Sequence, residues 1–422
     1  MLKEEYVRRE STLIRRAQVA GRTNESLMHT RINTGSAYRD WWKSFLLGER
    51  SCSLDEQGRE LAILDLFAGC GGLAVGLCEG ARALGLKPII RAAVDVDDLG
   101  LEVYSSNLHP EHVLHATVTN LVDFHVFESG KTAHFAYKPE LIDDQLGALK
   151  GKFDLVCAGP PCQGHSSLNN HTRGDDPRNI LYLSVPALAV ALDVPIVVIE
   201  NVSRIVHDKS GVVSTALALL EGNGYKITQG NVSATDLGWP QTRKRFFVVA
   251  IKERNPLSLV DTVRALKQPY ASVGWAIDDL MNAASENVFD EAADITDENI
   301  KRIDYLFDSN TFNLPNAIRP DCHKEGHTYP AVYGRLKWDE PAGTITSGFL
   351  SPGRGRFIHP VSRRCITPHE AARLQGFPDW FNFLLRDRPA PTRRMLAKWI
   401  GDAVPPIMGY AVAFSALAHD GG

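Results

Sequence analysis

Between Leu61 and Ile251 the sequence alternates wholly apolar, strand-like runs with helical stretches. That pattern leaves few folds open. Leu61-Ala62-Ile63-Leu64-Asp65-Leu66-Phe67 is one such run, followed by a Gly-rich turn and a helix over Leu73–Leu84. Further strands are predicted over Ile89–Val94, Leu155–Ala158, Ile196–Glu200, Tyr225–Ser233 and Arg245–Ile251, with helices over Leu99–Asn107, Leu181–Ala191 and Val212–Gly222. A strand that is apolar along its length is buried on both faces, as in parallel sheets covered by helices on each side. The expected fold is therefore a doubly wound α/β domain.

The flanks read differently. Residues 1–60 are polar with evenly spread charges and are expected to form an N-terminal helical extension. The large domain takes residues 61–251, and residues 121–150 interrupt its alternation as a surface insertion. Residues 252–391 are rich in Asn, Asp and Pro in their first part and suggest a smaller second domain. Residues 392–422 form a C-terminal segment whose helical stretch, Arg393–Ala418, is apolar enough to return to the large domain.

A hydrophobic content of 44% with 23% charged residues fits an ordinary soluble globular chain. No apolar run suggests a membrane span, and the charged start Met1-Leu2-Lys3-Glu4-Glu5-Tyr6 lacks the apolar core of a signal peptide. Seven cysteines without a Cys-x-x-Cys pair argue for reduced thiols in a cytoplasm and against a disulfide framework or structural zinc. A cytoplasmic monomer without metal or membrane partner is expected. The net charge of −4 does not suggest nucleic acid, but its distribution does. Residues 332–400 carry twelve Lys/Arg against five Asp/Glu, and residues 271–310 carry two against ten. Either these are two solvated faces of opposite sign, or a basic groove lies beside an acidic outer wall.

Five stretches carry chemistry. Asp65-Leu66-Phe67-Ala68-Gly69-Cys70-Gly71-Gly72 lies between a strand and a helix, where glycines let a ligand approach the backbone beside a helix N-terminus. Asp95 ends the next strand, where a carboxylate either accepts the ribose hydroxyls of a nucleoside or caps the following helix. Pro160-Pro161-Cys162-Gln163-Gly164 follows the strand ending at Ala158. Two prolines stiffen that loop, which is either an ordinary Pro-rich turn or a mount that holds Cys162 as a fixed nucleophile. A free thiol has a pKa of about 8.5, so Cys162 needs positive charge nearby. His165 is close in sequence, and Arg173, Arg178, Arg243 and Arg245 are candidates in space. Glu200-Asn201-Val202 places a carboxylate at the C-terminal edge of a parallel strand, where ligands of this architecture bind. In Gln241-Thr242-Arg243-Lys244-Arg245, alternation puts Gln241, Arg243 and Arg245 on one face.

Taken in order, these stretches resemble the motifs of the cytosine-5 DNA methyltransferases. The likeness runs through DLFAGCGG, GPPCQG, ENV and QTRKR, then Arg335–Thr346 (RLKWDEPAGTIT), Thr367–Phe381 (TPHEAARLQGFPDWF) and Gly401–Pro406 (GDAVPP). It covers residues 61 to about 415. The resemblance implies a Rossmann-like methyltransferase domain with a small target-recognition domain. It also implies S-adenosylmethionine as methyl donor, double-stranded DNA as partner and flipping of the target base. Cys162 would add to carbon 6 of cytosine, Glu200 would supply a proton through the ring nitrogen, and Arg245 with Arg243 would steady the base and Glu200. The donor would lie against Asp65, Phe67, Ala68, Gly69, Gly71, Gly72, Asp95, Val96, Thr117, Pro160, Asp402, Ala403 and Val404. The bacterial members it resembles make restriction–modification the expected setting.

Three positions depart from the family pattern. Thr117 stands where an acid usually faces the adenine amino group, His165 where Phe follows the nucleophile loop, and Asp402 where the late motif has Asn. Two other readings stay open at this point. One is a tRNA cytosine-5 methyltransferase of the same family, normally marked by a much reduced recognition segment. The other is a DNA-binding regulator with a dead site, against which the intact Cys162, Glu200 and Arg245 argue.

Overall fold

The computed structural model describes residues 2–53, 58–161, 180–208, 211–282, 287–324, 331–385 and 388–418. The polar N-terminal segment, expected to be helical, is mostly strand. β1 (Lys3–Arg9), β2 (Thr12–Val19) and β3 (Arg22–His29) form an antiparallel meander, followed by α1 (Ala37–Leu46) and the short β4 (Cys52–Ser53) paired with β3. The period of two is hidden because the buried row Leu13, Arg15, Ala17, Val19 contains an arginine. Arg15 is fully buried, 2.8 Å from Glu79, with its guanidinium 4.6 Å from the Trp41 ring centre. A buried charge is tolerable only when paired in this way.

The large domain follows the predicted alternation closely. In chain order come β5 (Glu60–Leu66), α2 (Gly72–Ala83), β6 (Lys87–Asp95), α3 (Asp98–Leu108) and β7 (His112–His115). The insertion contributes β8 (Val122–Asp123), β9 (Val126–Phe127), β10 (His134–Phe135), β11 (Glu140–Leu141) and α4 (Asp144–Gly147). The main sheet resumes with β12 (Leu155–Ala158), α5 (Ile180–Leu192), β13 (Ile196–Val202), α6 (Val212–Gly222), β14 (Tyr225–Ser233) and β15 (Lys244–Lys252).

The sheet order is β14-β15-β13-β12-β5-β6-β7. It is parallel except for β15, which runs against both of its neighbours. The link between β14 and β15 contains no helix, so a parallel crossover is unavailable and the pair closes as a hairpin. Strand side chains alternate between two cores. Leu61, Ile63, Cys157 and Val198 face α2 and the N-terminal strands, while Leu64, Leu66, Val156 and Val197 face α5 and α6.

Beyond β15 lie α7 (Leu259–Ala265), α8 (Val273–Ile277), α9 (Asp297–Asp308), α10 (Pro368–Gln375), α11 (Arg393–Asp402) and α12 (Pro406–Leu417). The predicted smaller domain has its own core only around Ile303, Leu306, Leu314, Val332, Tyr333 and Ile358. Val273, Ile277, Ile366, Ala371 and Phe377 join the large core instead. The expected single helix over Arg393–Ala418 is two helices, because Pro405 and Pro406 cannot continue the first. By length and composition Arg393–Leu417 could cross a membrane, but it is largely buried within the protein. α12 lies against α2 so closely that a Cβ on Gly76 would fall 1.9 Å from the Pro406 carbonyl oxygen.

α1 ties the N-terminal module to both halves. Trp42 packs edge-on to Trp239 and Tyr410, and Lys43 Nζ lies 2.6 Å from Asp278 and 2.7 Å from Asp279.

Candidate active site

The Gly-rich loop forms because β5 ends in a residue that the next turn must reverse. Phe67 takes φ 56° and Gly69 φ 52°, and the Ala68 amide donates to Val94 O at 3.1 Å. Gly71, also left-handed, caps the N-terminus of α2. No heavy atom lies within 4 Å of a Cβ built on Gly69, so that face of the loop is open. Gly72 is the reverse case, since a Cβ there would lie 2.6 Å from Val404 O and 3.1 Å from the Ala403 methyl. The C-terminal turn Ala403–Val404 therefore closes one side of the loop.

Asp65 lies beneath this loop rather than in it. It is 2% exposed, and Tyr104 Oη donates to its Oδ2 at 3.0 Å. Burial pushes its pKa up to about 7, against the opposing hydrogen bonds from Cys157 and Tyr104. A carboxyl whose pKa is raised on folding stabilises the fold fully below its unfolded value near 3.8, and that stability is lost as pH rises to about 7. Ionising Asp65 in place therefore costs about 4 kcal/mol. Asp65→Asn is expected to abolish this part of the fall in thermal midpoint between about pH 4 and 7. A parallel fall in wild type and variant would show that Asp65 does not titrate in this range.

Asp95 is fixed by two backbone donors, Gly69 N to Oδ2 and Asp97 N to Oδ1, each at 2.8 Å. Both oxygens keep a lone pair for a ligand. The helix cap that Asp95 might have been is Asp97, which accepts from Gly100 N at 3.0 Å. Asp97 also accepts from Lys398 Nζ at 2.8 Å and Trp399 Nε1 at 3.3 Å. Val96 projects 64% exposed beside Asp95, an apolar surface suited to a flat ring. Thr117 is half-buried, with its hydroxyl 3.2 Å from Thr119 Oγ1.

Glu200 ends the buried part of β13. It is 6% exposed, and its Oε1 lies 2.9 Å from Arg245 Nε. Burial raises its pKa, with Arg245 and then Arg243 pulling it back. A Cβ on Gly159, at the end of β12, would sit 3.5 Å from Glu200 Oε2. Asn201 Nδ2 donates to Pro160 O at 3.1 Å, so adjacent strand ends are tied together here. Cys162, His165, Arg173 and Arg178 lie outside the described residues.

Arg243 does not share the direction of Arg245. It is 1% exposed, donating to Gln241 Oε1 at 3.1 Å, to Gly401 O at 2.7 Å and to Ile345 O. β15 begins only at Lys244, so the alternation read across 241–245 does not extend through Arg243. Gln241 holds the end of α10 through Leu374 O and Gln375 Oε1, Arg243 holds the turn at Gly401, and Arg245 holds Glu200. Arg243→Leu is expected to lower stability by about 3 kcal/mol through lost charged hydrogen bonds. Arg245→Gln should slow turnover far more than Arg243→Leu does while lowering the urea midpoint less, because Glu200 can take up a proton when its cation is removed. The opposite pairing of effects would reverse these roles.

The basic segment is not an open groove beside an acidic wall. Arg363 pairs with Asp304 at 2.8 Å and Asp308 at 2.6 Å, Arg373 with Asp279 at 3.0 Å, and Arg393 with Glu291 at 2.8 Å. The acidic stretch is the counter-charge of the basic one. Arg356 donates to the carbonyls of Phe312 and Arg335, each at 2.8 Å. Arg354 and Arg394 remain exposed, outside any ion pair among the described residues.

The structure thus gathers Phe67, Ala68, Gly69, Gly71, Gly72, Asp95, Val96, Ala403 and Val404 around one loop, with Pro160, Glu200 and Arg245 at neighbouring strand ends. Asp402 is exposed in the same turn, and burial of its surroundings raises its carboxyl pKa against the pull of Lys398, Arg243 and Arg245. Asp97, Lys398 and Trp399 escape sequence reading, because only the fold brings the start of α3 to α11.

Solved structures share this architecture. A prophage-encoded DNA modification methyltransferase from E. coli superposes with a TM-score of 0.56 at 24% identity, covering 84% of this chain and 98% of that one. The Dnmt2 methyltransferase of S. pombe gives 0.51 at 18%, over 84% and 98%. These place the fold among the methyltransferases. The chain belongs to the family of C-5 cytosine-specific DNA methylases, whose pattern it matches over residues 61–417. It is 42% identical over 358 residues to the Type II methyltransferase M1.BsuMI of Bacillus subtilis, covering 84% of this chain and 80% of that protein. It is 29% identical to the Type II methylase M.HgiDII of Herpetosiphon aurantiacus, over 84% and 94%. The strands and helix of residues 3–46 precede the family match.

Proposed function

We propose that the protein transfers a methyl group from S-adenosylmethionine to carbon 5 of a cytosine flipped out of double-stranded DNA, through an adduct on Cys162. The observation that carries this reading is the buried Glu200–Arg245 pair beside Gly159 and Pro160, at the strand end that leads to Cys162. A carboxyl group with a raised pKa is suited to giving a proton to a ring nitrogen.

The donor fits the open loop. Its adenosine would meet the exposed Val96 and the fixed carboxylate of Asp95, and the open face at Gly69 leaves room for close approach. When bound it supplies an electrophilic methyl group. The Cys162 thiolate forms a bond to carbon 6, and Glu200 places a proton on the ring nitrogen N3. Carbon 5, now nucleophilic, takes the methyl group. Transfer of the carbon-5 proton to a water molecule then breaks the bond to sulfur and releases the thiolate, while N3 returns its proton to the Glu200 carboxylate. Arg245 holds Glu200 in place throughout. The segment around Ile303–Ile358 is the candidate for target recognition, since among the described residues it has a core separate from the large domain.

Methyl transfer from radiolabelled donor to duplex DNA, with tRNA alongside, tests the reading. Label on cytosine of DNA is expected, and label on tRNA alone would overturn it in favour of the RNA branch. DNA affinity should fall steeply with salt as phosphate contacts release counterions. Arg354→Glu should flatten that slope, because Arg354 is exposed and outside the ion-pair network. An unchanged slope would move the DNA away from this segment.

A further inference from the structure

We infer that Asp402 makes the site select the positively charged methyl donor over its neutral product. This rests on the S-adenosylmethionine reading above. The carboxylates around the loop differ in what they are already doing. Asp95 accepts two backbone N–H groups, and Asp97 accepts from Gly100, Lys398 and Trp399. The Asp402 side chain is exposed and makes no hydrogen bond or close ion pair to a described residue, with Lys398, Arg243 and Arg245 acting on it only at longer range.

Its backbone, by contrast, is clamped. Arg243 holds the Gly401 carbonyl at 2.7 Å, and a Cβ on Gly401 would lie 2.1 Å from Ser347 N. Gln375 Nε2 donates to Ala403 O, and Val404 O presses on Gly72. Cys70, within the Gly-rich loop, reaches Trp399 O at 3.3 Å through its thiol. The clamped turn thus holds the Asp402 carboxylate within electrostatic reach both of Cys70 in the loop that would hold the donor and of Arg245, which holds Glu200. The methyl group must pass between these two places, so the sulfur that carries it lies on that line.

The charges of the ligands give the sign. The donor carries a sulfonium, an ammonium and a carboxylate, for a net charge of +1. After transfer the sulfur is a neutral thioether. The amino-acid end is common to both, so any repulsion between Asp402 and the ligand carboxylate cancels in the affinity ratio. Only the sulfonium remains, and a fixed carboxylate attracts it. Asn at this position keeps the shape and loses that term. The inference departs from a general acidic patch, because Asp97 is paired with Lys398 and Asp95 is held by backbone donors at the adenosine end of the site.

Titration calorimetry on the full chain tests it with three ligands: S-adenosylmethionine, S-adenosylhomocysteine, and sinefungin, in which a protonated amine replaces the sulfonium. Asp402→Asn is expected to weaken the first and third about tenfold, about 1.4 kcal/mol, and to change the second less than twofold. A thermal midpoint equal to wild type verifies the fold, and Asp402→Ser serves as a second variant. Equal weakening of all three ligands, or of none, would overturn the role of Asp402. If wild type bound none of the three, the cofactor reading itself would fail instead.

Discussion

Cys162→Ser is expected to give a protein that folds, binds duplex DNA and transfers no detectable methyl groups. A serine hydroxyl keeps the size of the side chain but has almost no anionic form at neutral pH, whereas a thiol with a pKa near 8.5 is already partly ionised. Cys162 itself lies outside the described residues, so the expectation rests on its place in the chain. It follows β12 by four residues, and β12 ends beside Glu200. Two assays check it. Methyl transfer to unmodified DNA should vanish, and DNA containing 5-fluorocytosine should trap wild type covalently but not the variant. Near wild-type turnover by Cys162→Ser would remove the covalent mechanism. Failure of wild type to trap would do the same.

Glu200→Gln is expected to slow single-turnover methyl transfer by about 10²–10⁴-fold, the usual size of a general acid–base contribution. Glutamine still donates a hydrogen bond to the ring but has no proton to give. The raised pKa of Glu200 sets the pH dependence. The acid form is lost as pH rises through that value, so the ratio of wild-type to variant rate should fall there, while the rise set by Cys162 ionisation is common to both. The stability effect has the opposite sense. A carboxyl with a raised folded pKa stabilises the fold below its unfolded value of 4.5 and loses that contribution as pH rises. Above neutral pH the variant should therefore unfold at a temperature no lower than wild type. A slow but equally stable enzyme separates a chemical role from a packing role. An unchanged single-turnover rate would exclude Glu200 as the acid.

Much of the large domain was legible before any tertiary contact was known. Periodicity placed β12, α6 and β14 at their observed limits, since strands buried on both faces and helices between them leave a local mark. The motif residues at strand ends were legible for the same reason, because β5, β6, β12 and β13 deliver Gly69, Asp95, Pro160 and Glu200 to one edge of a parallel sheet. β1–β3 were not, because a buried arginine interrupts their alternation and its partner, Glu79, is 64 residues away.

The sequence by itself determined six of the seven main-sheet strands in chain order, the Gly-rich turn and the presence of Cys162, Glu200 and Arg245, because these follow from backbone preference and side-chain chemistry within a few neighbours. Tertiary structure alone decided what each charge meets. It turned Arg243 into the turn at Gly401 and left Arg245 on Glu200, although both sit in one five-residue motif. It joined Lys398 to Asp97, 301 residues apart, and left Asp402 four residues later unpaired. It paired Arg363, Arg373 and Arg393 of the basic segment with carboxylates of the acidic one. Coulomb attraction acts over a few ångströms of space regardless of separation along the chain, so charge pairing is set only once the fold has brought distant segments together.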